Sequence, residues 1–188
     1  MSEEEKSNVK YLKDIELKLI AELMKNSRRS DRELAKALGI SQPTVGRIIK
    51  RLEKQGVIKE YTMIPDFAKV GYKILALVFV KLKQPLNQEQ IENARNIAKK
   101  SLAIGSLEVV MLERGFGLNH DGVFMTYQKD YSTYLKFIEW LKKFEFLAIE
   151  KIESFIVNLD DKVRYRPLTY SFLAQEISQT KEKEGAEP

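Results

Sequence analysis

Along the first sixty residues apolar side chains recur every three to four positions, whereas later stretches alternate every second position or run apolar throughout. That change of period predicts a helical unit followed by a mixed helix-and-strand unit. Ile15, Leu19, Ile20, Leu23 and Met24 lie on one helical stripe, with Asp14 as cap and an end near Asn26. Ser30-Asp31-Arg32-Glu33 is a capping box, in which the serine hydroxyl takes the amide three residues on and the glutamate reaches back. The helix it starts carries Leu34, Ala35, Ala37 and Leu38 and stops at Gly39, a residue suited to the left-handed conformation of a helix end.

A third helix follows at once. Ser41 stands at its N-cap, Pro43 fits the first turn, Val45, Ile48, Ile49 and Leu52 form its apolar stripe, and Gly56 closes it. Val57 to Met63 reads as a strand or wing. Residues 63–71 form a linker, because Pro65 blocks helix continuation and Gly71 punctuates the entry to the next strand.

Beyond Tyr72 the expected strands are Tyr72–Leu82, Leu107–Glu113, Gly122–Tyr127 and Ile149–Asn158, with helices near Gln88–Lys100 and Asp130–Phe144. The order β-α-β-β-α-β is that of a ferredoxin-like sheet with both helices on one face, so the fold class is α+β. In the first strand Ile74, Ala76, Val78 and Val80 alternate with Leu75, Leu77 and Phe79, so both of its faces are apolar. Helices can cover only one, and the economical cover for the other is a second copy of the chain. The helix near residue 137 also carries two stripes, one of Tyr131, Tyr134, Leu135, Ile138 and Leu141 and one of Phe137, Trp140 and Phe144, which fits either a deep core helix or a further subunit contact. The expected organisation is therefore residues 10–62 as a helical domain, 63–71 as linker, 72–160 as the sheet domain and 161–188 as a tail. Residues 1–9 read as a frayed end, and the polar stretch from Ser178 is expected to be disordered.

Charge changes this picture from architecture to chemistry. The net charge is +5, and the segment Arg28–Lys54 alone holds eight Lys/Arg against three acidic residues. From Tyr72 onward 17 basic residues face 16 acidic ones, so the basic footprint is confined to the helical unit and favours a polyanion. The longest apolar run, Ile74–Val80, is far below the roughly 20 residues of a spanning helix, so a cytoplasmic protein without a membrane partner is expected. With no cysteine and one histidine, neither disulfides, a metal site nor a cofactor is expected.

Two capped helices joined by a tight turn, the second polar and basic on its outer side, have the build of a helix-turn-helix whose second helix enters the major groove of double-stranded DNA. Gln42, Thr44 and Arg47 are the candidates for base edges. Arg28, Arg29, Ser30, Ser41, Lys50 and Arg51 are the candidates for phosphates.

These residues resemble the Lrp/AsnC (leucine-responsive and asparagine-type) transcriptional regulators of bacteria and archaea. Leu34-Ala35-Lys36, Leu38-Gly39-Ile40-Ser41, Thr44-Val45, Lys50-Arg51-Leu52-Glu53 and Gly56-Val57-Ile58 stand at that family's spacing, and Lys59-Glu60-Tyr61 and Val70-Gly71 continue it. The resemblance implies a winged helix-turn-helix, a β-α-β-β-α-β domain forming homodimers through its sheets, further assembly into tetramers or octamers, and an amino-acid-like effector near the central hairpin. It also shows departures. Ile48 stands where many members carry an arginine, and the family's Gly-x-x-Asp hairpin element is only partly matched by Gly117-Leu118-Asn119-His120-Asp121-Gly122. Arg114, Gly117, Asn119, His120 and Asp121 are nonetheless the candidates for holding a zwitterion, with carboxylate on arginine and ammonium on aspartate. A glycine-rich turn between strands is the alternative reading.

Two other functions share this outline. His120 beside Asp121 has the residue types of an acid–base pair, but no nucleophile motif, phosphate-binding loop or metal cluster completes a catalytic site, so the chain reads as a non-enzyme. Sirohaem decarboxylases resemble the same family in both domains and are the enzyme alternative. A DNA-packing protein without sequence preference is the other.

Overall fold

A computed structural model describes residues 12–104, 108–163 and 165–184. They fall into two compact units: the chain up to Ile64 together with the stretch from Arg166 onward, and Pro65–Tyr165.

In the first unit α1 (Asp14–Lys25), α2 (Asp31–Leu38) and α3 (Gln42–Lys54) follow the apolar periods closely. Leu19, Leu34, Val45 and Leu52 are fully buried and, with Ala35 and Ile48, form one cluster. Each such aliphatic side chain contributes about 1.5–3 kcal/mol by leaving water, and Ile48, 6% exposed, belongs to this core rather than to a polar surface. The Ser30–Glu33 capping box forms as expected, the Glu33 amide donating to Ser30 Oγ at 3.3 Å and the Ser30 amide to Glu33 Oε2 at 2.8 Å. The Ser30 hydroxyl also donates to Glu33 Oε2 at 2.7 Å, and that bond first, then the one from the Ser30 amide, holds the Glu33 carboxyl below its usual value. Gly39 and Gly56 take the left-handed conformation, with φ +66° and +68°.

Three details differ from the sequence reading. Asp14 is not the cap of α1 but its first residue, paired with Lys18 at 3.0 Å, and Glu16 reaches back to the Lys13 amide instead. Residues 57–63 form no strand, since no neighbouring segment offers them a ladder to join. Residues 178–184, expected to be disordered, continue a helix, α6 (Ser171–Glu184), that begins within the apolar part of the tail and packs on α1, while residues 185–188 lie outside the described residues. The frayed end at residues 1–9 lies outside the described residues.

The second unit contains β1 (Ile74–Leu82), α4 (Gln88–Ile104), β2 (Val109–Gly117), β3 (His120–Gln128), α5 (Tyr131–Lys142) and β4 (Ile149–Asn158). The antiparallel sheet has the order β2-β3-β1-β4, as a β-α-β-β-α-β chain with two crossovers requires. On one face Ala76, Val78, Val80 and Phe124 pack against Tyr134, Phe137 and Leu141 of α5. Both stripes of α5 feed this core, Phe137, with Trp140 stacked on it at 6.1 Å between ring centroids, from one and Tyr134 and Leu141 from the other, whereas Tyr131 and Leu135 are exposed. Thr126 and Gln128 are buried on the same strand face and satisfied, Thr126 Oγ1 donating to the Glu108 carbonyl and Gln128 Nε2 to Thr126 Oγ1.

Among the described residues no helix is packed on the opposite face. Leu77 pairs across the sheet with Met125 and Phe155, Leu75 with Tyr127 and Val157, and Phe79 with Val123. The linker covers one end, where Phe67 stacks on Tyr127 at 3.7 Å between centroids. Elsewhere the face is bare, and Phe155 in its fourth strand is 63% exposed.

Candidate nucleic-acid interface

Helix α3 divides its residues sharply. Val45, Ile48 and Leu52 point into the core, while Gln42, Arg47 and Lys50 are exposed. Ser41 Oγ lies 2.8 Å from Thr44 Oγ1, which in turn accepts from Arg47 Nη2 at 3.2 Å, so the start of α3 presents a hydrogen-bonded polar row. Ser41 therefore occupies the N-cap position without capping through its side chain. A groove of about 570 Å³ runs beside this row, lined by Gln42, Pro43, Gly46, Arg47 and Lys50 from α3 and by Asp31 from α2. Gly46 permits that closeness: a Cβ there would meet Asp31 Oδ2 at 3.3 Å.

The remaining cations of the basic segment are not equivalent. Arg28 is exposed. Arg29 is held by Glu22 of α1, and Arg51 by Glu16, whose side chain is only 7% exposed and whose other oxygen accepts the Lys13 amide. Ser30 is committed to its capping box. The structure thus gathers Gln42, Arg47 and Lys50 along one groove, bonds Thr44 to Arg47, and ties Arg29 and Arg51 back to α1. Sequence reasoning missed Glu16, Glu22 and Asp31; the available signal was a carboxylate one turn before a core leucine, as Glu16 stands to Leu19. Arg51→Ala is accordingly expected to lower the thermal stability of this unit and leave the salt dependence of DNA binding nearly unchanged, because it strands a buried carboxylate. Differential scanning calorimetry beside a salt titration checks both. Near the end of α3, Tyr61 donates to Glu53 Oε1 at 3.0 Å, and its phenol is pushed up to about 12 by burial and then by that carboxylate.

The hairpin end of the second unit is built differently. Leu118 and Asn119, with φ +50° and +59°, form a two-residue turn between β2 and β3. His120 Nδ1 lies 2.6 Å from the Leu118 carbonyl. Its Nε2 is 2.9 Å from Glu153 Oε2, close enough for an ion pair but outside hydrogen-bond geometry. Asp121 accepts the Leu82 amide at 2.8 Å and stands 3.4 Å from Lys81, and the amide first, then the lysine, lower its carboxyl from the ordinary value. Lys151, then His120, lowers Glu153 in the same sense. His120 and Asp121 are thus occupied with neighbouring strands, while Arg114, Gly117 and Asn119 are exposed.

Comparison with known proteins bears on both units. A winged helix-turn-helix DNA-binding family model matches residues 12–59. An uncharacterised HTH-type transcriptional regulator of Pyrococcus abyssi is 32% identical over 107 residues, which are 55% of this chain and 72% of that protein. The HTH-type transcriptional regulator LrpC of Bacillus subtilis is 39% identical over 72 residues, 38% of this chain and half of LrpC. The solved structure of LrpC is matched over 83% of this chain and 99% of its own, with a TM-score of 0.61 at 22% identity. A Neisseria meningitidis transcriptional regulator, solved as a complex with L-methionine, matches over 87% and 99% with a TM-score of 0.65 at 18% identity. Among the described residues no helix is long and apolar enough to cross a membrane.

Proposed function

Since the chain belongs to the Lrp/AsnC family of helix-turn-helix DNA-binding transcriptional regulators, we propose that α3 reads an operator through Gln42, Thr44 and Arg47 while Lys50 and Arg28 meet phosphates. The observation that carries this is the two-sided α3, with a sealed apolar face and an outer row already ordered by the Thr44–Arg47 hydrogen bond. Ordered donors cost little further entropy on docking. Arg29, Ser30, Ser41 and Arg51 flank the row. Arg29 and Arg51 contribute positive potential from fixed positions, their carboxylate partners discounting it.

The active form in this proposal is a homodimer joined through the bare sheet face, with tetramers or octamers as higher assemblies. Two-fold symmetry sets two copies of α3 about one DNA turn, or a multiple, apart on a roughly palindromic site. An amino-acid-like effector is proposed at the hairpin end, where Arg114 and Asn119 are exposed beside Gly117, His120 and Asp121. The L-methionine complex of the Neisseria regulator supports that ligand class. A melting-temperature screen with free amino acids tests it, a saturable upward shift being the expected result.

Selection of bound fragments from sheared source DNA at moderate salt tests the DNA reading. A recurring palindrome is the expected result, with affinity that falls steeply as salt rises because phosphate contacts release counterions. Uniform recovery without a motif would favour packing over regulation.

A further inference from the structure

The chain leaves its DNA-reading unit at Ile64 and comes back to it at Arg166, ending in a helix that belongs to that unit. Helix α6 packs on α1. Its side chains divide accordingly: Ala174 is fully buried, Ile177 and Ser178 one turn on are half-buried, and Phe172 and Leu173 are exposed. This is the i, i+3, i+4 stripe of a docked helix. On α1, Ile15, Leu19 and Leu23 serve the cluster shared with α2 and α3, yet Ala21 is only 1% exposed and lies outside that cluster. An alanine loses its exposure on the outward side of a surface helix only where another backbone comes close. The one buried alanine of α6 supplies the matching low point, because two small residues let helix axes approach.

The entry to α6 is fastened as well. The Arg166 guanidinium sits over the Phe172 ring, 4.1 Å from its centroid, and Thr169 Oγ1 accepts the Ser171 amide at 3.2 Å. Helix α1, held on this outer side by α6, is also the element whose Glu22 fixes Arg29, just ahead of α2, and whose Glu16 fixes Arg51, in the last turn of the recognition helix.

We propose that α6 is a clasp of the DNA-reading unit: docked on α1 of its own chain through Ala174 and Ala21, it holds α1, and through their shared apolar cluster the recognition helix α3, in place and thereby sets DNA affinity. The effect on affinity rests on the DNA-binding reading above; the docking itself does not. The clasp also gives the reader two covalent connections to residues 65–165 in place of one, so a rearrangement of that unit acts on the reader through both.

The absence of cysteine from the sequence allows a clean test. In the full-length double variant A21C/A174C, mild oxidation is expected to form a disulfide within one chain, read as a faster-migrating monomer on a denaturing, non-reducing gel. A separate variant, Ala174→Asp, forces a carboxylate into the helix crossing. Its reader is expected to melt lower by on the order of 10 °C and to lose about tenfold in affinity for selected or random DNA, a factor equivalent to the loss of one modest interaction. Failure of the cysteines to join in folded protein, or their joining between chains, would overturn intrachain docking. An Ala174→Asp protein with unchanged melting would do the same, and one with lower melting but unchanged affinity would overturn the link from clasp to DNA. The gel and melting readings need no DNA, so if the parent protein bound none they would still decide the docking.

Discussion

Phe155→Arg is expected to leave the protein monomeric, by blocking the homodimer proposed through the bare sheet face, and to lower its affinity for a palindromic operator by about a hundredfold or more. Phe155 lies opposite Leu77 on β4, the outer strand beside β1, on the sheet face away from α5, and is 63% exposed in the single chain, so its replacement disturbs little of the monomer's own core. In a two-fold pairing the same change places two guanidinium groups against an apolar partner surface, where neither finds a counter-charge, and burying such a charge costs more than the interface can offset. DNA affinity follows because a dimer delivers its second recognition helix at high effective concentration, a gain of order 10²–10⁴ that a monomer lacks. Sedimentation equilibrium and an operator titration read the two effects separately. A Phe155→Arg protein that stays dimeric at micromolar concentration shows that another surface joins the copies, and circular dichroism of the same sample establishes that it is folded.

Arg47→Ala is expected to weaken operator binding roughly ten- to a hundredfold while changing affinity for random DNA by much less. The guanidinium is exposed on the groove side of α3 and steadied by Thr44 Oγ1, the arrangement a bidentate contact to a guanine edge needs, and such a contact is worth about 1–3 kcal/mol of discrimination. Lys50→Ala is the companion measurement: a phosphate contact predicts weaker binding on every sequence and a salt slope reduced by about one ion. If Arg47→Ala instead weakens operator and random DNA equally, Arg47 meets backbone, and base reading falls to Gln42 and Thr44.

These two residues mark the divide between what could be read along the chain and what could not. Arg47 was legible, because helix periodicity puts it opposite Val45 and Leu52 and the Ser30 and Ser41 caps set the phase of both helices. The strand pattern around Leu77 likewise announced a sheet apolar on both sides. Nothing local told Arg47 from Arg51: both are arginines on the polar side of one helix, and only the fold brings the Glu16 carboxylate of α1 to Arg51, 35 positions away in sequence. The hairpin was recognisable from its glycines, but the engagement of Asp121 by the Leu82 amide depends on strand register, which a two-residue turn and its neighbours decide together. Residues 57–63, read along the chain as a strand or wing, take no strand for a related reason, since a strand exists only where a second one pairs with it.

By itself the sequence determined the helix-turn-helix, the βαββαβ order, the confinement of positive charge to one unit and the need for a cover on the sheet, because these follow from periodicity, capping and charge within short windows. Tertiary structure alone decided which arginines are tied to α1, which residues of each α5 stripe are core, and that the last helix returns to pack on the first. Those outcomes depend on contacts between residues far apart in the chain, and the energies that select them arise only when separate apolar and charged surfaces meet.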